Sequence, residues 1–586
     1  MKSLLRLRPY LARHRRTLLW GLLAVTGSNL FTVVLPLFVG NAVDALRETL
    51  SGEGLRRGEM LQWGALVVAF SLAGGVFTFL TRQTIIVASR RIEYDLRNDF
   101  LRHIQKLSLS WFQRASTGDL MAHATNDIGA VRNCVGPGIM YPADTLMTFV
   151  MALAIMLNRD WELTLLALLP LPFVSAAVYV LGRKVHARFE ERQEQYARLT
   201  VRAQESLSGI RVVKAYVREA YETGLFRQMS REYLNKNLVL ARVQSLMWPL
   251  MFLLVGCSLV ITLWEGGLRV MEGRISIGML TAFFGYLMML IWPVIAFGWV
   301  INLLQQGAAS MGRLTRILDT EPEIRDSELT SARITSLEGA IEFRNVGFRH
   351  PGAPSFALRD ISFRLEAGST AAIVGYTGSG KTTLVNLIPR LADATEGEIF
   401  LDGTDIRHIP LAVLRSAVGC VPQETFLFSD TIAENISYGA DDASGGEIRA
   451  AAEAAHMAQD VRDFPKGYDT LLGERGITLS GGQKQRTSIA RALLRNPRIL
   501  ILDDALSSVD TDTEDRILEQ LRHIMRQRTS IIISHRISTV READIILVLH
   551  EGRLAERGTH AELVARGGIY ADLHRKQLLE EELDRL

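Results

Sequence analysis

The chain has 586 residues, 48% hydrophobic and 22% charged, with a formal net charge of +3 and a mean hydropathy of +0.14. So small a charge excludes a nucleic-acid partner held by a global basic field. The cysteines, Cys134, Cys257 and Cys420, lie far apart, which excludes a disulfide framework or a zinc ribbon. The composition is too apolar for a purely water-soluble protein and too charged for one lying wholly in lipid, so it predicts one domain of each kind.

Residues 1–16 alternate Leu4, Leu5, Leu7 and Leu11 with Arg6, Arg8, Arg13 and Arg15. That pattern predicts a short amphipathic elbow helix on the anionic inner face of a lipid bilayer. A cleaved signal peptide is the alternative, but the apolar stretch runs on to about Ala45 with no small-residue cleavage pattern.

Six stretches reach the roughly 20 apolar residues that a spanning helix needs: 18–43, 61–80, 139–157, 163–181, 247–270 and 277–303. Asp144 interrupts the third, where an ionisable group is a candidate for the substrate cavity or a structurally paired carboxylate. Trp20, Trp63, Trp161, Trp264 and Trp292 sit near span ends, as interfacial anchors or as packing residues. The segments 82–132 and 183–242 are rich in Arg and Lys whereas the alternate loops hold few, which puts both, and hence both termini, in the cytoplasm. Neither Gly nor Pro occurs in 76–117, 183–208 or 225–248. An unbroken helix over 76–117 would be about 60 Å long, twice the hydrocarbon thickness. The membrane helices are therefore expected to project into the cytoplasm and to turn near Gly118 and Gly209. The spanning domain covers 17–315. Residues 316–338, with Asp319-Thr320-Glu321-Pro322-Glu323, read as a polar linker. A soluble domain follows over 339–580, where apolar strands at 371–374, 418–421, 499–502, 530–533 and 545–549 alternate with helical stretches, the pattern of a parallel α/β sheet.

Gly375-Tyr376-Thr377-Gly378-Ser379-Gly380-Lys381-Thr382 fits GxxxxGK[ST], directly after a strand and before a helix, and is followed by Thr383. That context makes it a phosphate loop, in which backbone N–H groups close on the phosphates at a helix N-terminus. Lys381 supplies a charge for the outer phosphates and the Thr382 hydroxyl a ligand for Mg²⁺. The strand Ile499-Leu500-Ile501-Leu502-Asp503 ends in the carboxylate that such a Mg²⁺ needs.

Between them lies Leu479-Ser480-Gly481-Gly482-Gln483. Ser480 is placed to cap a helix whose first N–H groups form another anion site. With six spans before it, this signature resembles the ATP-binding cassette (ABC) exporters over nearly the whole chain. The implied fold class is an α-helical six-span transmembrane domain fused to a mixed α/β P-loop ABC nucleotide-binding domain, with ATP and Mg²⁺ as cofactors. The resemblance also implies a dimer, in which Ser480, Gly481, Gly482 and Gln483 meet the ATP held by the facing subunit. By the same resemblance Gln423 matches the Q-loop glutamine near Mg²⁺, Asp510 the D-loop, His535 the switch histidine and His350 the residue that stacks on adenine. Glu474-Arg475-Gly476 resembles the coupling segment before the signature, and the tips near Gly118 and Gly209 resemble coupling helices.

The sequence departs from hydrolysing cassettes at Asp504, where they carry the Glu that polarises the attacking water. Asp is shorter by one methylene, and misplacing a catalytic group by about 1 Å can cost on the order of 10²-fold. The run Asp503-Asp504-Ala505-Leu506-Ser507-Ser508-Val509-Asp510 resembles the degenerate half of heterodimeric bacterial multidrug exporters. It implies a second half-subunit with a Glu-bearing Walker B, an amphipathic small-molecule substrate and a multi-pass position in the inner (plasma) membrane. A homodimer that tolerates Asp, and a regulatory subunit that binds ATP without pumping, remain the alternatives. The six spans exclude a soluble repair ATPase, and the fusion of membrane domain to cassette disfavours an importer.

Overall fold

In the computed structural model, which describes residues 2–50, 57–440, 442–473, 476–507, 511–534 and 536–584, the chain divides into two compact units. One comprises Met1–Gln105 with Thr117–Asp319, the other Lys106–Ser116 with Thr320–Leu586.

The first unit is helical. Among the described residues, five helices are long and apolar enough to cross a membrane: Arg15–Glu48, Met60–Ile104, Thr117–Arg159, Glu219–Met271 and Ile277–Leu318. They contain the first, second, third, fifth and sixth stretches read from the sequence. The fourth, 163–181, is divided between Trp161–Leu168 and Leu171–Ser208. Pro170 lies at the break, where its missing N–H interrupts the helical ladder although the apolar run continues. The first two helices approach closely. A Cβ added to Gly21 would lie 2.4 Å from Ile85 Cγ1, and one on Gly27 would lie 2.6 Å from Phe77 Cδ1. Trp20, Trp161, Trp264 and Trp292 are exposed, whereas Trp63 packs near Phe38.

Three local expectations change. The elbow is a 3-10 turn, Lys2–Leu7, followed by a helix, Arg8–Arg13. Its leucines do not all face outward: Leu7 is buried and Leu4 and Leu11 pack with it against Ile92, Phe100, Met311 and Leu314, leaving Leu5 exposed. Burial against neighbouring helices removes that surface from water without lipid. The first projection stops at Ile104, well short of Thr117. There the chain turns at Ser108, which is extended, and forms a short helix, Leu109–Arg114. Gly118 falls inside the next helix, Thr117–Ala122, so the turn precedes it. At the second tip, Gly209 does separate the helices Leu171–Ser208 and Ile210–Ala215.

Asp144 is not isolated. Asn29 Nδ2 donates to its Oδ1 at 2.8 Å, Thr148 Oγ1 donates to its carbonyl at 2.9 Å, and Thr148 also donates to Asn29 Oδ1. Buried polar groups find partners in this way because an unmade hydrogen bond is expensive. Asp127 accepts from Ser310 at 2.8 Å and from Arg313 Nε at 3.0 Å, joining the third helix to the last.

The second unit holds two sheets. Its strands are β1 (Ile341–Phe348), β2 (Leu358–Leu365), β3 (Thr370–Val374), β4 (Glu396–Leu401), β5 (Thr404–Asp405), β6 (Val418–Val421), β7 (Ile499–Asp503), β8 (Thr529–Ile533), β9 (Ile545–His550) and β10 (Arg553–Gly558). One sheet has the order β10-β9-β3-β8-β7-β6, and the other β2-β1-β4-β5. In the larger sheet β6, β7, β8, β3 and β9 are parallel and β10 is antiparallel to β9. The smaller sheet is antiparallel throughout. The continuous apolar runs follow from burial on both faces. Ile499 and Ile501 join the core shared with the smaller sheet, while Leu500 and Leu502 join a second core. That second core is built with the helices between β6 and β7, including Gly445–Ala454 and Gly481–Leu494.

Candidate nucleotide site

Because β3, β7 and β8 are parallel, their carboxyl ends fall on one edge of the sheet, where ligands of open α/β sheets bind. β3 delivers the phosphate loop there and β7 delivers Asp503, with β8 alone between them. The loop needs glycine for steric reasons at two positions. Gly375 has φ 150° and Gly380 has φ 100°. A Cβ on Gly375 would lie 2.2 Å from the Leu549 carbonyl oxygen, and one on Gly380 would lie 2.9 Å from that of Ala357. The helix Lys381–Leu387 starts immediately after.

Lys381 is buried, and its Nζ donates to the carbonyls of Gly375 at 2.8 Å and Tyr376 at 3.0 Å. Burial pulls its pKa below the ordinary lysine value, against the pull of the Asp503 and Asp504 carboxylates. Ser379 Oγ is buried without a hydrogen-bond partner. An orphaned hydroxyl beside a buried ammonium fits a bound polyphosphate, which accepts from both. Thr382 is exposed and Thr383 partly so. Among the described residues no group of three or more His, Cys, Asp or Glu could hold a metal ion. A phosphate-bound Mg²⁺ fits this sparse donor set, since it takes one carboxylate and one hydroxyl beside phosphate oxygens and water. Asp503 is buried, and Thr382 and Gln423 carry neutral side-chain oxygens of the kind such an ion would accept.

Asp504 has φ 49°, in the left-handed region that Asp tolerates better than most residues. Its N–H donates to the Ile533 carbonyl at 2.9 Å. Its Oδ2 faces Gln423 Nε2 at 3.5 Å, so the glutamine and the acid that follows β7 come together. His350 meets Phe348 edge to face at 4.9 Å and shares a cavity of about 210 Å³ with Thr383 and Asn386. Tyr376 is flanked by His550 and by Lys576, whose Nζ lies 5.5 Å from its ring centre.

The signature forms a separate helix start. Ser480 caps Gly481–Leu494 in a capping box: its Oγ accepts from Gln483 N at 3.3 Å, and Gln483 Oε1 accepts from Ser480 N at 3.0 Å. Gln483 Nε2 and Arg486 donate to the two oxygens of Asp460 at 3.1 and 2.6 Å. Among the described residues, no hydrogen bond joins Ser480–Gln483 to the phosphate loop of the same chain. Asp510, His535, Glu474 and Arg475 lie outside the described residues.

Asp460, Lys576 and Glu323 escape sequence reading. Each lies in a stretch without a motif, and only the fold brings it to the signature, to the phosphate loop or to the short helix Leu109–Arg114.

The comparisons agree with this architecture. Residues 18–294 match the ABC transporter transmembrane region, and residues 358–507 match the ABC transporter domain. The probable multidrug resistance ABC transporter ATP-binding/permease protein YheI of Bacillus subtilis is 39% identical over 95% of this chain and 94% of its own. The chain belongs to the ABC exporters. The multidrug resistance-like ATP-binding protein MdlA of Escherichia coli is 36% identical to this exporter, covering 100% of it and 98% of MdlA. An ATP-dependent lipid A-core flippase of Syntrophus aciditrophicus is 38% identical over 90% of the exporter and 88% of the flippase. A solved bacterial Atm1-family ABC exporter with ATP bound superposes with a TM-score of 0.80 at 31% identity, over 97% of this chain and 99% of that one. The exporter is thus a membrane protein of an ATP-hydrolysing, dimeric transporter family.

Proposed function

We propose that this exporter is one half of a heterodimer, the half whose own nucleotide site binds ATP and hydrolyses it slowly. The observation that carries the reading is Asp504, a short carboxylate at the position facing Gln423, at 3.5 Å. Its reach toward a γ-phosphate-bound water is one methylene less than that of Glu, and general-base efficiency falls steeply with such misplacement.

In this reading Gly375 to Thr383 grip the phosphates and His350 stacks on adenine. Thr382, Asp503 and Gln423 are the residues that would hold Mg²⁺, which would supply charge neutralisation for the phosphates. His535 and Asp510 take the switch and D-loop roles that their motif order gives them. The capped helix start at Ser480 to Gln483 faces the nucleotide of the mate, whose Glu-bearing Walker B performs most turnover. ATP closes the two cassettes because it binds that state better than the open one. The projecting helices pass the movement to the spans, and the cavity turns outward by alternating access. Cargo is amphipathic or hydrophobic, in keeping with spans that hold apolar, aromatic and small residues. Both termini and the cassette lie on the cytoplasmic side of the inner membrane, a placement that the basic segments 82–132 and 183–242 support.

ATP-driven uptake of ethidium into inverted vesicles tests this reading, with wild-type, Lys381→Ala and Asp504→Glu chains each co-expressed with the mate. Uptake that Lys381→Ala weakens supports a pump with a structural ATP at this site. Nucleotide binding without uptake of ethidium or of a labelled lipid in any complex points instead to a regulatory subunit. Full uptake with no mate present points to a homodimer.

A further inference from the structure

We propose that Glu323 is a positioning residue that latches the linker leaving the last membrane helix to the short helix Leu109–Arg114, so that the two chain connections between membrane domain and cassette move together. The inference rests on the nucleotide reading above, because the latch is useful only if the cassette responds to ATP.

Glu323 Oε2 accepts from Ser110 Oγ at 2.6 Å and from Ser108 Oγ at 3.0 Å, and Arg114 lies 3.5 Å from Oε1. Ser108 stands at the N-cap of Leu109–Arg114, where a serine ordinarily accepts from the first turn's N–H groups. Here it makes no such bond, and its hydroxyl is turned to the linker carboxylate instead. Ser108 Oγ and Ser110 Oγ also lie 2.8 Å apart, so one carboxylate organises both hydroxyls. The hydrogen bond from Ser110 holds the Glu323 carboxyl below the usual glutamate range. Hydrogen bonds to an ionised acceptor are shorter and stronger than neutral ones.

The latch also touches the nucleotide side. Ser110 and Glu323 line the same 210 Å³ cavity as His350 and Thr383. A shift of the adenine residue or of the phosphate-loop helix is therefore felt at a wall that Glu323 has fastened to Leu109–Arg114. By sequence, that helix joins the ends of the second and third spanning helices, and Glu323 follows the sixth. A single side chain thus fastens the segment that links the second and third spanning helices to the segment that follows the sixth, beside the cavity that His350 and Thr383 line.

Hydrogen exchange on the full exporter in lipid nanodiscs, with and without AMP-PNP and Mg²⁺, tests the latch. In wild type, nucleotide is expected to slow exchange both at 375–383 and at 106–116, the latter by about tenfold, within the usual range of coupling between sites. Glu323→Ala is expected to keep the slowing at 375–383 and to lose it at 106–116. Glu323→Gln, whose amide oxygen still accepts from the serines, is expected to keep both. The latch is overturned if Glu323→Ala retains nucleotide-dependent slowing at 106–116, or if Glu323→Gln loses it as completely as Glu323→Ala. No slowing at 375–383 in wild type would overturn the nucleotide reading, and the latch with it.

Discussion

Gln423 Nε2 lies 3.5 Å from Asp504 Oδ2, so the glutamine at the end of β6 and the acid at the end of β7 share one space above the sheet. A Glu at residue 504 would have over an ångström more reach than Asp504, by one methylene.

Asp504→Glu is therefore expected to raise ATP turnover of the two-chain complex by at least about tenfold, if position alone limits the base. Phosphate release by reconstituted complexes measures it. An unchanged rate would mean that Asp504 already places its carboxylate adequately.

Lys381 gives a pH signature. Burial holds its pKa below 10.5, so the ammonium that meets phosphate is present below the lowered value and lost as pH rises through it. The sign for folding of the free protein is opposite. The unfolded lysine keeps its proton longer, so folding gains stability as pH rises through that same window. ATP affinity is expected to fall at lower pH in wild type than in Lys381→Arg, whose charge does not titrate. Fluorescent-nucleotide titrations from about pH 7 to about pH 10 distinguish the two.

Asp460→Ala removes the acceptor of both Gln483 and Arg486, and the Arg486 side chain is only 11% exposed. A buried charge left unpaired costs on the order of 3 kcal/mol. The signature helix start is expected to lose its fixed position. Vanadate trapping at the mate's site is expected to fall by about tenfold while ATP binding by this chain persists, because among the described residues no hydrogen bond joins Ser480–Gln483 to its phosphate loop. Loss of both together would show general unfolding instead.

Asp144 is held by Asn29 and Thr148. Asp144→Asn keeps an oxygen that Asn29 can reach, so uptake of cationic and of uncharged dyes is expected to change alike, by less than about twofold. Selective loss of cation transport by more than about tenfold would assign the carboxylate to the cargo.

Much of the cassette was legible in its residues. The phosphate loop, the strand ending in Asp503 and the capped start at Ser480 each follow from local chemistry, and each lies where its pattern points. The four-stranded antiparallel sheet was not, because its strands mix polar and apolar residues and pair across long separations, as β1 does with β4. The end of the first projection was hidden for another reason. The chain turns at Ser108 without Gly or Pro, and the side chain that fixes Ser108 lies more than 200 residues further on. The same holds for Asp460, whose partners Gln483 and Arg486 are fixed by folding and not by spacing. The broken fourth span shows the converse: Pro170 was visible, but an apolar run across it reads as continuous by composition alone.

ATP turnover per cassette pair, measured for this chain purified alone and again with a second half-exporter bearing Asp-Glu at the end of its own Walker B strand, discriminates most sharply. Unequal sites require turnover by the single chain to lie about 10²-fold below that of the pair. Equal turnover by this chain alone, with no second gene product, contradicts them.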